Sequence, residues 1–99
     1  MNAKDIQDNF NLNVCNGFIL YCNDKHINIT KALSIKGKTT KNTVYKIARG
    51  ESTYILPISI AYLCEVLNLD SPTILEQYYI NNKQRYRLSI INLCDYPLL

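Results

Sequence analysis

The sequence predicts an all-α fold: five helices around one core, followed by a C-terminal extension. Three observations carry that expectation. Apolar residues recur at three- and four-residue spacing in successive windows. Proline stands where two helices should start, at Pro57 and Pro72. Glycine stands just past two periodic stretches, at Gly37 and Gly50, where a residue without a Cβ stops a helix most cheaply. At 99 residues the chain makes one domain, long enough to bury a core without metal or disulfide staples.

Residues 1–13 are polar, with Ile6, Phe10 and Leu12 as isolated apolar positions, and read as an N-terminal arm or a short helix. The first firm helix runs from Val14 to Lys25, with Val14, Phe18, Tyr21 and Cys22 on its buried face; Gly17 weakens it. Asn28 is a suitable N-cap for a second helix through Ile29, Ala32 and Leu33 that ends near Lys36. Thr39 or Thr40 can cap a third helix. Its inner side is Val44, Ile47 and Ala48, and its outer side is Lys41, Asn42, Tyr45, Lys46 and Arg49. Pro57 opens a fourth helix with Ile60, Leu63, Cys64 and Leu67 as its core stripe. Ser71-Pro72 opens a fifth, with Leu75, Tyr78 and Tyr79 inside. In the extension, 81–99, Tyr86, Ile90 and Leu93 fit a helical face, while Tyr86 to Ile90 also alternates as a strand would; helix is favoured.

Several function classes find no support. The apolar runs are far shorter than the roughly 18 residues of a membrane span. No basic segment leads into an apolar one at the N-terminus, so a cytoplasmic protein is expected. Cys15, Cys22, Cys64 and Cys94 form no CxxC pair and stand with a single histidine, His26. That is not the ligand grammar of zinc, and reduced, mostly interior thiols are expected, with no metal and no cofactor. Only three glycines exist, so no phosphate-cradling loop can be drawn, and no nucleophile–histidine pair suggests catalysis. The chain does not read as an enzyme.

Charge points elsewhere. The formal net charge is only +3, but between Lys25 and Tyr54 there are seven basic residues and one acid, Glu51. That window carries +6 and the rest of the chain −3. A concentrated positive surface suits a polyanion, although a solvated helical face would look the same. Short helix, turn, and a second helix basic outside and apolar inside is the physical form of a helix-turn-helix, here between about Asn28 and Gly50.

Three stretches resemble the lambda-repressor-like (Xre/Cro-type) DNA-binding domains. Tyr21-Cys22-Asn23-Asp24-Lys25-His26-Ile27-Asn28-Ile29-Thr30-Lys31-Ala32 is similar to that family's end of helix one and start of helix two. Thr43-Val44-Tyr45-Lys46-Ile47-Ala48-Arg49-Gly50 is similar to its recognition helix and closing glycine. Leu63-Cys64-Glu65-Val66-Leu67-Asn68-Leu69 resembles its helix-four ending. The likeness spans about residues 14–80, taken as the DNA-binding domain. Two departures stand out: Gly37 to Lys41 is one residue longer than the family's turn, and His26 occupies a position where the family prefers glycine.

The resemblance implies a transcriptional regulator of double-stranded DNA, commonly a repressor in a phage or mobile element. It implies that Lys41, Asn42 and Tyr45 face base edges, Asn toward adenine and Lys toward guanine acceptors. Thr30, Lys31, Thr40, Thr43, Lys46 and Arg49 would touch backbone phosphate. Each has a plainer alternative: Thr40 can be only an N-cap, Tyr45 can fold back onto the core, and Arg49 can simply favour a helix C-terminus. One such module buries about 600–1,000 Å² on DNA, so a homodimer is expected. Its contact is assigned to the extension, through Tyr86, Ile90 and Leu93, unless that segment packs back on the domain. The competing reading is a protein-interaction module (antirepressor, antitoxin or inhibitor) that grips a protein partner through the same tyrosine-rich tail.

Overall fold

The computed structural model describes residues 1–34 and 40–94; the side chains of Thr40 and of 85–94 lie outside the described set. Among the described residues five helices follow one another: α1 (Ala3–Asp24), α2 (Ile29–Ser34), α3 (Thr40–Ala48), α4 (Pro57–Leu67) and α5 (Pro72–Cys94). Among the described residues there is no strand, and the all-α expectation holds. The stretch from Tyr86 to Ile90 is helical, so its alternation of residue types does not make it a strand.

The first departure from expectation is at the N-terminus. Residues 3–13, which read as an arm or a short helix, are continuous with the first firm helix and make up the first three turns of α1. Asn2 caps the helix, its side-chain oxygen accepting from the Asp5 N–H at 2.9 Å. Lys4 and Asp8 pair one turn apart at 2.7 Å, and Asp5 sits favourably at the positive end of the helix dipole. Tertiary contacts add to these. Phe10 and Leu12 lean on the core, and the buried Asn11 side chain donates to the Thr53 carbonyl oxygen at 3.0 Å. Gln7 in turn donates to the Asn11 side-chain oxygen at 2.9 Å, so the buried amide is satisfied on both sides.

From Val14 to Leu20 every residue of α1 is buried, as is Cys22 two residues further on. A helix buried all round lies in the middle of a protein rather than on its edge. Accordingly α1 packs on both α5 and α3, and the expected single face (Val14, Phe18, Tyr21, Cys22) is only part of what it buries. Tyr21 lies at the margin, its ring edge-on to Tyr78 of α5 with centroids 5.2 Å apart. The Tyr78 hydroxyl donates to the Asp24 carboxylate, tying the end of α1 to α5.

At Gly17 the backbones of α1 and α5 are in close contact. A Cβ built on Gly17 would lie 1.9 Å from the Leu75 carbonyl oxygen and 2.7 Å from its carbon. Both are backbone atoms and cannot swing aside. The glycine that weakens α1 as an isolated helix is therefore what lets α5 seat on it, with Leu75 wholly buried beside it.

Proline sets the starts of the last two helices as expected. Pro57 is the first residue of α4, and Ser71 caps α5 by accepting from the Thr73 N–H at 3.1 Å. Ile60, Leu63 and Cys64 are buried, and Leu67 is half-buried. α5 continues past the expected domain end at residue 80. It bends at Asn82 (φ −129°, ψ 16°), whose side-chain amide donates to the Tyr78 carbonyl oxygen at 2.8 Å. The side chains of Tyr86, Ile90 and Leu93, expected to form a dimer contact, lie outside the described residues, as does Leu98.

Cys15, Cys22 and Cys64 are free, buried thiols, as expected of small hydrophobes. Burial pushes Cys15 and Cys22 up to about 12, and Cys64 upward too, so thiolate chemistry is suppressed at neutral pH. No helix among the described residues is long and apolar enough to cross a membrane.

The Gly17 contact makes a direct prediction. Gly17→Ala should destabilise the fold by about 3 kcal/mol in urea unfolding, the upper end of the usual cost of overpacking, because backbone must shift to admit the methyl group. Helix propensity pulls the other way by about 1 kcal/mol. Stability equal to or above that of the natural chain would mean that α1 and α5 are not in backbone contact.

Candidate nucleic-acid interface

Three helices end in the same way, and two of those ends frame the candidate site. After α1, α3 and α4 the chain takes one residue in the left-handed region: His26 (φ 57°), Gly50 (φ 79°) and Asn68 (φ 57°). In each case the next N–H reaches back five residues: Ile27 to Cys22 at 2.8 Å, Glu51 to Lys46 at 2.8 Å, Leu69 to Cys64 at 2.9 Å. This is the Schellman closure, which satisfies the last carbonyl groups of the helix and turns the chain sharply. The position where the resembled family prefers glycine is thus a left-handed position here, occupied by His26 at a conformational cost.

The turn at His26 delivers the chain to Asn28. Its side-chain oxygen accepts from the Lys31 N–H at 3.0 Å and so caps α2 as expected. Ile29 and Leu33 are buried, leaving Thr30, Lys31 and Ser34 exposed. The Tyr62 hydroxyl donates to the Ala32 carbonyl oxygen at 3.4 Å, linking α2 to α4. The segment from Ile35 to Thr39, including Gly37 and the turn that is one residue long against the family, lies outside the described residues.

α3 has two distinct sides. Val44 is 0% exposed and Ile47 1%, each worth about 1.5–3 kcal/mol of burial, with Ala48 half-buried beside them. Asn42, Lys46 and Arg49 are exposed, and Lys41 and Thr43 are half-exposed. The helix itself carries no acid. Its start is joined to the start of α2, where the Lys41 ammonium donates to the Thr30 hydroxyl at 3.1 Å. The outward residues of α2 and α3 therefore adjoin.

Not every expected contact residue is presented in the same way. Tyr45 is half-buried and packs part of its ring against the core, the alternative weighed for it. Thr40 is the first residue of α3, and its side chain is outside the described set. Arg49 is engaged: its Nε donates to a Glu51 carboxylate oxygen at 2.7 Å, and a second guanidinium nitrogen reaches the other oxygen at 3.4 Å. The Arg49 hydrogen bond holds the Glu51 carboxyl below the usual carboxylate range, and the charges of Arg49 and Lys46 add to it.

In the sequence Glu51 stands out only as the lone acid in a basic window. The left-handed Gly50 brings it back against Arg49, and the spacing Arg-Gly-Glu was the available signal. The role of Asn11 in pinning Thr53, just beyond α3, left no local signal at all, since its partner is 42 residues away.

A second surface feature was not foreseen. A half-open groove of about 530 Å³ runs between the first half of α1, the loop into α4, and α4 itself, lined by Phe10, Tyr54, Ile55, Pro57, Ile60 and Ala61 among others. Of its lining, Tyr54 is 64% exposed, and its chain neighbours Leu56 (52%) and Ile58 (72%) are exposed apolar residues too. Among the described residues no three of His, Cys, Asp or Glu converge as a metal site.

Comparison of the chain with protein-family models, with curated proteins and with solved structures returned no match.

The left-handed histidine is testable. His26→Gly should raise stability by up to about 1 kcal/mol, since glycine takes this conformation without the Cβ clash. A urea midpoint below that of the natural chain would contradict the proposed closure of α1.

Proposed function

We propose that this chain is a DNA-binding transcriptional regulator of the lambda-repressor-like kind, reading the major groove of double-stranded DNA with α3. The observation that carries the reading is the two-sided α3. Val44 and Ile47 anchor it inward, Asn42 and Lys46 stand exposed opposite them, and no acid lies on the helix. A helix about 10–12 Å across fits a major groove about 12 Å wide. Asn42 and Lys41 are the proposed base-reading residues. Tyr45 is the weaker third, because part of its ring is committed to the core. Thr30, Lys31, Thr43 and Lys46, with the first turn of α3 at Thr40, are proposed to hold phosphates and set the docking angle.

The regulator is proposed to act as a cytoplasmic homodimer, with recognition helices about 34 Å apart on a two-fold site. The dimer contact is proposed on the distal half of α5, through Tyr86, Ile90 and Leu93; the continuation of that helix to Cys94 supports it. Nothing in the residues calls for a cofactor or for catalysis.

A protein-interaction module is the second reading, and one observation favours it. The groove lined by Tyr54, with Leu56 and Ile58 exposed next to it in the chain, is apolar surface of the kind that receives a protein, although its described lining includes no residue of the tail.

Fluorescence anisotropy against duplexes selected from a random library, over a salt series, separates the two. The DNA reading predicts enrichment of a two-fold motif and a log–log salt slope of about −0.9 per phosphate contact. It also predicts at least about a fivefold weakening of binding to the selected duplex in Lys41→Ala/Asn42→Ala, from one lost bidentate pair of about 1–3 kcal/mol. Absence of enrichment, with no binding at low salt, would overturn it in favour of the groove.

A further inference from the structure

We propose that Glu51 is a specificity-determining residue of the DNA-binding face: it holds Arg49 in a carboxylate fork and so withholds that guanidinium from phosphate. The inference rests on the DNA-binding reading of α3 and deepens it.

The geometry is two-pronged. Arg49 Nε lies 2.7 Å from one Glu51 oxygen, and a terminal guanidinium nitrogen lies 3.4 Å from the other. A planar guanidinium matches a carboxylate and a phosphate with the same fork, so the two anions compete for one group. The backbone sets up the competition. Gly50 sits at φ 79°, and the Glu51 N–H is fixed on the Lys46 carbonyl oxygen at 2.8 Å, so Glu51 starts from a defined place at the end of α3. A Cβ on Gly50 would meet nothing within 4 Å, so the glycine is required by conformation rather than by space.

The consequence concerns discrimination more than affinity. Glu51 is the only acid among the charges of the Lys25–Tyr54 window. Phosphate attraction is blind to sequence, so every unpaired cation on the face raises binding to all DNA alike. A carboxylate paired with Arg49 at the end of the recognition helix subtracts one cation from that face. Base contacts from Lys41 and Asn42 then carry a larger share of the binding free energy. The fork is directional, so a phosphate displaces the carboxylate only when it reaches the guanidinium closely and in register, whereas a loosely docked duplex does not.

The test uses Glu51→Gln, which keeps shape and removes charge, with Arg49→Gln and the double variant, on selected and scrambled duplexes. Glu51→Gln should tighten binding to the scrambled duplex by about fivefold, the most an exposed ion pair withholds. The salt slope should steepen by about 0.9, one further phosphate contact. The selected duplex should gain less, so discrimination falls. In the Arg49→Gln background the gain should vanish, because Glu51 acts through Arg49. Binding by the natural chain with no change in Glu51→Gln would overturn this inference and leave the DNA reading standing. A gain that persists without Arg49 would overturn it as well, assigning Glu51 to direct repulsion. No DNA binding by any of the four proteins would instead remove the reading on which it rests.

Discussion

The fold depends on the backbone contact between α1 and α5 at Gly17 and Leu75. A methyl group on Gly17 would fall 1.9 Å from a carbonyl oxygen, so the two helices meet with nothing between them. That approach lets Leu75 become wholly buried and brings Tyr78 within reach of both Tyr21 and Asp24. With α5 seated, α1 is enclosed from Val14 to Leu20 and becomes the central post of the molecule. α3 packs on the same helix through Val44 and Ile47, so the orientation of the candidate interface follows from how α1 is held.

Rigidity at the interface comes from short polar ties rather than from long helices. α2 has six residues and α3 nine, both below the length at which a helix is stable alone in water. They persist because each is anchored at a defined point. Asn28 caps α2, Tyr62 holds its Ala32 carbonyl, Lys41 reaches from α3 to Thr30, and Asn11 fixes the loop after α3 through Thr53. A module that reads base edges must hold its side chains to a fraction of an ångström, and these ties bear on that directly.

Much of the fold was legible because its signals are local. Pro57, Ser71-Pro72, Asn28 and Gly50 each act on the few residues beside them, and each marks the boundary expected of it. What was not legible depends on partners far along the chain. Residues 3–13 look like a separate arm or short helix because Asn11 reads as a surface residue until Thr53 is brought to it. Gly17 reads as a flaw until Leu75 arrives. His26 shows the same limit from the other side, since histidine is not a residue from which a left-handed position would be inferred. At the candidate site, the inward and outward sides of α3 followed from helical spacing. The partial burial of Tyr45 and the capture of Arg49 by Glu51 did not, because both depend on side-chain direction beyond the helix.

The central claim is that α3 and the start of α2 form one surface that meets DNA. Its most direct test is a proton–nitrogen correlation spectrum of the labelled protein, titrated with a short duplex. The account predicts perturbed amides from Asn28 to Ser34 and from Thr40 to Glu51, with the amides of Tyr54 to Ala61 left in place. Perturbation confined to Tyr54–Ala61, or none at all at low salt, would contradict it.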